Sequence, residues 1–195
     1  MLTLIHAPKS RSTRMIWLLE ELGATFDIKV VDIARQSGVG AKDPANPHPD
    51  KKVPALLDDG VLITESAAIA LYLTDKFPAA GIGPVVGDPL RGPYLTWLAY
   101  YAGVLEPVIG AHFEGRTASD PALMAEYEAM DARLKATLEA GPYMLGETYS
   151  AADIMFASLL QFARQALPAH AVYDEWLARL TARPALARAM AKDGG

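Results

Sequence analysis

Lys51-Lys52-Val53-Pro54-Ala55-Leu56-Leu57-Asp58-Asp59-Gly60-Val61-Leu62-Ile63-Thr64-Glu65-Ser66-Ala67-Ala68-Ile69 is the stretch that decides the fold. It reads as two short apolar strands joined by an acidic turn and followed at once by a helix. Asp59-Gly60 is a hairpin signal, because Gly accepts the positive φ that a tight turn between twisted strands requires. Glu65 and Ser66 fall where the second strand ends and the helix begins, and the residues from Ala67 onward are good helix formers. Free backbone N–H groups and the positive end of the helix dipole meet there, which favours an anionic ligand group. Pro54 cannot donate to a sheet ladder, so a Pro opening a strand sits at an edge or serves a special role. One such role is a cis peptide that leaves the backbone of Val53 exposed to a ligand. On spacing alone the plainer reading is favoured, an ordinary hairpin–helix unit in which Pro54 starts an edge strand.

Working outward, Leu2–His6 reads as a strand ended by Ala7-Pro8. From Ser10 an amphipathic helix carries Met15, Leu18, Leu19 and Leu22 at helical spacing, with Gly23 as its stop. Phe26–Ile33 alternates like a strand, completing a βαβ unit with parallel strands. Residues 34–50 are rich in Pro, Gly, Asn and Asp and read as a loop with at most a short helix. A helix from Ser66 to Phe77, stopped by Pro78, closes a β-α-β, β-β-α set. Gly81 to Pro89 is linker chemistry. Beyond it the pattern is helical throughout. A long apolar helix spans Pro89 to Phe113 and is expected to bend at Pro107, which lacks a donor. Asp120-Pro121 caps and starts a helix that runs to Gly141-Pro142. Ser150-Ala151-Ala152-Asp153 opens the next as a capping box, with Tyr149 and Ile154 in staple positions. A last stretch, Val172 to Met190, presents Trp176, Leu177 and Leu180 on one face and breaks near Arg183-Pro184.

Composition narrows the function classes. The chain has 195 residues, is 51% hydrophobic and carries a net charge of −5, so it can bury one large core or two modest ones. Without a Lys/Arg block, nucleic acid is not an expected partner. No run approaches the roughly 18 apolar residues of a membrane span, and no secretory signal is visible at the N-terminus. The sequence has no cysteine. Disulfides, thiolate metal sites and cysteine nucleophiles are excluded together, which fits a cytoplasmic protein. His6, His48, His112 and His170 are far apart and lack metal-ligand spacing, so no metal is expected.

Lys-Val-Pro-Ala-Leu at 52–56, Asp-Asp-Gly at 58–60 and Glu-Ser-Ala-Ala-Ile at 65–69 together resemble the glutathione-binding half of the cytosolic glutathione transferase family. The element order, like that of a thioredoxin-type domain, strengthens the likeness. The resemblance implies an α/β plus all-α chain: a thioredoxin-like glutathione-binding domain at 1–79, a linker at 80–88, and an all-helical domain at 89–195 that contributes the acceptor site. In that family the Val-Pro bond is cis, the Val backbone pairs with the cysteinyl part of glutathione, and the Glu-Ser pair holds the γ-glutamyl group. These roles fall on Val53, Pro54, Glu65 and Ser66. Lys51 or Lys52 is expected to pair with the glycine carboxylate, although solvated surface charge is the commoner fate of Lys. The Ser/Thr-x-x-Asp box, here Ser150 and Asp153, is a folding element in the family, in agreement with its physical reading as a cap.

Family members activate the glutathione thiol with a Tyr, Ser or Cys near the first strand and helix. The first tyrosine here is Tyr72 and there is no cysteine, so a hydroxyl at the start of the first helix remains. Counted back from Arg14-Met15, Ser10 takes the catalytic position and Ser12 is the reserve. Ser10 can equally be a plain N-cap, and both roles can hold. The resemblance further implies transfer of the thiolate to a small hydrophobic electrophile, detoxification as the setting, and a homodimer. Tyr94, Trp97, Tyr101 and Val104 recur at helical spacing; core packing is the expected use of most of them. One or two of the aromatic residues, with Pro8 and Lys9, are left to line an acceptor pocket at the cleft between the domains. Two alternatives stand beside conjugation: a glutathione-dependent isomerase of the same fold, and a transferase-like binding module without catalysis.

Overall fold

Leu2–His6 (β1) is buried along most of its length, with Leu4, Ile5 and His6 fully inaccessible. The computed structural model describes residues 1–35 and 37–194. A loop leads from β1 into helix α1, Thr13–Glu21, whose Met15, Ile16, Leu18 and Leu19 are buried. Phe26–Val30 (β2) returns parallel to β1 in the register Leu2↔Phe26 to His6↔Val30. Ala55–Asp58 (β3) pairs antiparallel with β1, and Val61–Thr64 (β4) antiparallel with β3, giving the order β2-β1-β3-β4. Asp59 and Gly60 both take positive φ, 47° and 86°, the combination a two-residue primed hairpin turn needs. Helix α2, Ser66–Lys76, follows β4 directly. This is the thioredoxin-like half of the fold.

Two features of this half differ from the sequence reading. Helix α1 starts at Thr13 rather than near Ser10, because residues 10–12 form a turn in which the Thr13 N–H bonds the Ser10 carbonyl at 3.1 Å. Strand β2 ends at Val30, where Val31 N–H still reaches the His6 carbonyl at 2.8 Å before the chain leaves the sheet. The Val53-Pro54 peptide is cis, as expected.

Packing groups Met1–Ala80 with the residues from Arg183 onward, and Gly81–Ala182 as a second unit. Helix α8, Pro184–Lys192, lies on α1. Arg183 grips Glu21 through two bonds of 2.6 and 2.8 Å, and Arg188 holds Glu20 at 2.7 Å. Burial raises the Glu20 pKa, but Lys192 and Arg188 outweigh it and hold the carboxyl below its ordinary value.

The second unit is helical. Helix α3 (Arg91–Tyr100) runs through a π-helical turn, Tyr101–Leu105, into α4 (Glu106–Phe113). The irregularity precedes Pro107 instead of centring on it. A proline ring crowds the carbonyl four residues back and offers it no donor, so the turn widens and Glu106 N–H bonds Tyr101 O. Helix α5 (Pro121–Ala140) starts at Asp120, whose carboxylate accepts from Ala122 and Leu123 N–H. Helices α6 (Ala151–Ala163) and α7 (Ala171–Thr181) complete the unit. Tyr94, Trp97 and Tyr101 are buried, and Trp97 and Tyr101 meet Phe156 edge-on at 5.6 and 5.4 Å. The aromatic stripe of the long helix is therefore core.

Candidate functional site

Sheet register places the sequence-predicted groups at one end of the sheet. Ile5 pairs with Ala55, and Ala55 pairs with Thr64. One residue further along each strand lie His6, Pro54 and Glu65, so the β1–α1 loop, Val53 and the start of α2 neighbour one another. Val53 is anchored by its side chain, which is buried in a cluster with Ile5, Ala7, Val31 and Ala55. Among the described residues no backbone partner takes up its N–H or C=O.

The start of α2 is open in the same way. Glu65 is the N-cap with φ 65° and ψ 120°, no side chain caps the helix, and the first turn carries no acid. The first helical bond runs from Ile69 N–H to Glu65 O. The amides of Ser66, Ala67 and Ala68 precede it and face outward with the positive end of the dipole. Free amides at a helix start beside an unpaired backbone N–H and C=O form a donor and acceptor set suited to a small ligand that carries a carboxylate and a peptide unit.

The two lysines separate. Lys51, at φ 58°, turns its ammonium onto the Asn46 carbonyl at 2.7 Å and the Pro44 carbonyl at 3.4 Å. Lys52 is exposed, with Asp50 at 3.9 Å, while its carbonyl is held by buried Asn46 at 3.0 Å. Lys52 thus keeps an exposed ammonium, and Lys51 braces the loop.

The loop from Ala7 to Ser12 is wired around two hydroxyls. Ser12 Oγ is fully buried, 2.8 Å from His6 Nδ1 and 2.8 Å from Ser10 Oγ, and it accepts from the Ala7 N–H at 3.2 Å. Ser10 Oγ is half-buried, donates toward the Ala7 carbonyl at 2.7 Å and accepts from Ser12 N–H at 3.2 Å. Neither serine side chain caps α1. The Ser10 hydroxyl instead lies ahead of the helix, at the chemistry-bearing end of the sheet.

His6 and Asp193 are the residues that sequence reasoning missed. The His6 ring is buried, with Nε2 at 3.4 Å from the Asp193 carbonyl and 3.5 Å from its Oδ1. Burial pushes the His6 pKa below its ordinary value, against the pull of Asp193. Asp193 also accepts from the Lys9 N–H at 3.0 Å and from the Thr13 hydroxyl. Arg35 bonds the Pro8 and Lys9 carbonyls at 2.8 and 3.2 Å. Lys9, at φ 54°, is clamped on both sides, as a strained loop residue has to be. His6 carried a signal, a polar residue ending an apolar strand; Asp193 carried none, since only the fold-back of α8 brings it here.

Asp153 belongs to a different kind of site. It is buried and accepts from the N–H of Met144 (2.9 Å), of Ser150 (2.9 Å) and of the Trp176 indole (3.1 Å). With Ser150 it forms a complete capping box, the folding element read from the sequence.

Comparison with known proteins agrees with this geometry. Residues 1–75 match the family described as Glutathione S-transferase, N-terminal domain, and residues 114–192 match Glutathione S-transferase, C-terminal domain. Glutathione S-transferase 3 of Schizosaccharomyces pombe is 43% identical over 112 residues, which cover 57% of this chain and 45% of that protein. A GST-like protein of Streptococcus mutans is 31% identical over 206 residues, covering 92% of this chain and 76% of the relative. The disulfide-bond oxidoreductase YfcG of Escherichia coli is 28% identical over 98% of this chain and 95% of its own length. A solved sphingomonad glutathione S-transferase complexed with glutathione superposes with a TM-score of 0.81 at 26% identity, over 98% of each chain. Among the described residues no helix is long and apolar enough to cross a membrane, and no cluster of three or more His, Asp or Glu could hold a metal ion. An open α2 start, a cis Val-Pro at the sheet end and both halves of the family pattern in one chain lead to the same conclusion: the chain belongs to the glutathione S-transferase family.

Proposed function

We propose that this protein is a serine-type glutathione transferase that joins the glutathione thiolate to small hydrophobic electrophiles. The observation that carries the reading is the Ser10 hydroxyl, which stands ahead of α1 at the same sheet end as the Val53 backbone and the uncapped α2 start. Val53 pairs with the central peptide unit, Glu65 and Ser66 with the γ-glutamyl group, and Lys52 with the glycine carboxylate. Pro54 turns the Val53 backbone toward the ligand. Ser10 stabilises the thiolate, with Ser12 behind it. A thiol has a pKa of about 8.5, and the thiolate is the attacking form. A donated hydroxyl bond beside a helix N-terminus favours that anion.

The functional division that goes with this reading is residues 1–79 for glutathione, 80–88 as linker and 89–195 for the acceptor, in a cytoplasmic homodimer. YfcG favours a second reading, thiolate attack on a bound disulfide. The chain has no cysteine to form a mixed disulfide with, so glutathione itself would be the nucleophile, on the same site. Isothermal titration with glutathione, followed by aryl halides, unsaturated diketo acids and a small disulfide as acceptors, separates transfer, isomerisation and disulfide reduction. Binding without turnover of any acceptor would leave a non-catalytic module.

A further inference from the structure

Ser10, Ser12 and His6 form an unbroken line of hydrogen bonds from the half-buried site end to a fully buried ring: Ser10 Oγ to Ser12 Oγ 2.8 Å, Ser12 Oγ to His6 Nδ1 2.8 Å. The partners of His6 fix its polarity. Nε2 faces only acceptors, the Asp193 carbonyl and carboxylate, so the proton of the neutral ring sits on Nε2 and Nδ1 is bare. Ser12 then donates to Nδ1 at 2.8 Å in preference to the Ala7 carbonyl at 3.3 Å. Its lone pairs receive the Ala7 N–H and, when the Ser10 hydroxyl turns from the Ala7 carbonyl (2.7 Å), that hydroxyl. Every hydroxyl proton in the line can point inward, leaving a lone pair of Ser10 Oγ as the outermost group. A line so polarised is set to accept a proton from outside.

We propose that His6 is the terminal acceptor of the glutathione thiol proton, reached through Ser10 and Ser12, with Asp193 fixing the ring tautomer and stabilising the imidazolium. Ser10 Oγ takes the thiol proton while giving its own to Ser12 Oγ. Ser12 in turn gives its proton to His6 Nδ1, and the sulfur keeps the electron pair of the broken S–H bond. Both serines end as hydroxyls, now pointing outward, so Ser10 donates to the thiolate it has helped to form. His6 returns the proton along the same line once the charge on sulfur has been consumed. One hydroxyl line thus serves as proton path in one polarity and anion donor in the other.

The surroundings suit the role. Burial holds the His6 pKa below its ordinary value, so the ring is neutral and its Nδ1 lone pair is open before substrate arrives, while Asp193 pulls the other way and offsets part of the cost of protonating it. Among the described residues Asp193 is the charged side chain against the ring. Lys29 of β2 is spent on the Ala45 carbonyl, Arg35 on the Pro8 and Lys9 carbonyls, and Lys192 of α8 on Glu20. Gly194 packs so closely that a Cβ there would lie 2.9 Å from Pro8 Cγ, which holds the Asp193 segment on the loop.

The proposal rests on the glutathione reading above, and one set of measurements separates the two. At pH 7, thiolate in the complex is followed by ultraviolet absorbance. Protons released to solvent are counted by titration calorimetry in buffers of different ionisation enthalpy. Thiolate appearing with little proton release is the expected result; one proton released per thiolate, or bound glutathione that stays a thiol, overturns the relay and leaves the binding reading intact. No binding at all overturns both. In His6→Asn, Oδ1 can still accept from Ser12 but cannot hold a proton. Release should then match the thiolate formed, and the thiol pKa should rise by about one unit or more. Should that variant not fold, ¹⁵N chemical shifts of His6 in the free wild-type protein decide: a proton on Nδ1 overturns the proposal, and a bare Nδ1 supports it.

Discussion

Helices α6 and α2 begin with the same three letters, Ser150-Ala151-Ala152 and Ser66-Ala67-Ala68, yet their first turns are in opposite conditions. Ser150 stands outside its helix as an extended N-cap (φ −148°), and Asp153 returns the bond, so the amides there are satisfied and buried. Ser66 is already inside its helix. The cap is Glu65 at φ 65°, which makes no capping bond. A register shift of one residue, together with an Ile in place of Asp at the following position, turns a structural cap into an open anion site. Satisfied helix starts hold a fold together, and unsatisfied ones are available for a ligand.

The largest expected effect lies on the satisfied side. Asp153→Ala strands the buried N–H groups of Met144, Ser150 and Trp176. A buried donor left unpaired costs about 1–3 kcal/mol and a lost cap about 0.5–2, so roughly 3–5 kcal/mol of stability should go. For a chain this size that lowers Tm on the order of 10 °C. Glutathione affinity of the folded fraction should be unchanged. A variant that melts like wild type but has lost turnover would make Asp153 a functional residue and dissolve the contrast.

Acid sharpens the same contrast. Burial pushes the Asp153 carboxyl up to about 6, against the bonds from Met144, Ser150 and Trp176 that favour its anion. Its native form therefore holds a proton more tightly than the unfolded chain does. Its contribution is fully present below about pH 4 and is lost as pH rises through 6, a cost of about 3 kcal/mol for a shift of about two units. Urea unfolding of wild type and Asp153→Asn at pH 4.5, 6 and 7.5 isolates it. Asn does not titrate, so the difference between the two proteins should change over this range by about 2 kcal/mol, the part of the effect that lies above pH 4.5. A constant difference would mean that Asp153 is ionised throughout.

On the open side, Ser10→Ala should slow conjugation by roughly ten- to a hundredfold, since a hydrogen bond to a charged acceptor is worth about 1.5–3 kcal/mol. Glutathione affinity should hardly move, and stability should fall by only about 1 kcal/mol, because Ser10 caps no helix and its loss removes bonds within the Ala7–Ser12 loop alone. Loss of rate in Ser12→Ala alone, with Ser10→Ala at wild-type speed, would transfer the thiolate contact to Ser12.

Local chemistry made the elements legible. Asp59-Gly60 predicted its hairpin, Asp120-Pro121 and Ser150-Asp153 their caps, and Arg183-Pro184 the break that falls before the last helix. Those signals act within a few residues. Groups assembled by tertiary contacts were not legible. Asp193 meets His6 across 187 positions because α8 packs on α1, and Lys51 spends its charge on loop carbonyls whose placement no sequence pattern specifies. The bend before Pro107 was misplaced for a related reason: proline acts on the turn behind it, and the π-turn absorbs the mismatch at Tyr101–Leu105.

The smallest effect tests whether the open start of α2 is held at a cost. Glu65 is an exposed, non-glycine residue at φ 65°, ψ 120°, a conformation that costs an L-residue on the order of 1–3 kcal/mol and persists only where the surroundings enforce it. Glycine occupies such angles without the Cβ penalty but loses more entropy on folding. Glu65→Gly should therefore gain stability modestly, by about 1 kcal/mol at most. The same change removes the carboxylate proposed to meet the γ-glutamyl group, so glutathione should bind about tenfold more weakly, the equivalent of about 1.4 kcal/mol. Glu65→Gln separates the two effects, since it keeps the strained backbone and a polar tip. It should match wild type in melting and fall between the two in affinity. A glycine variant that is less stable than wild type would show that the Glu65 side chain stabilises the turn. The uncapped first turn of α2 would then be a structural arrangement, like that of α6, and no longer evidence for a ligand.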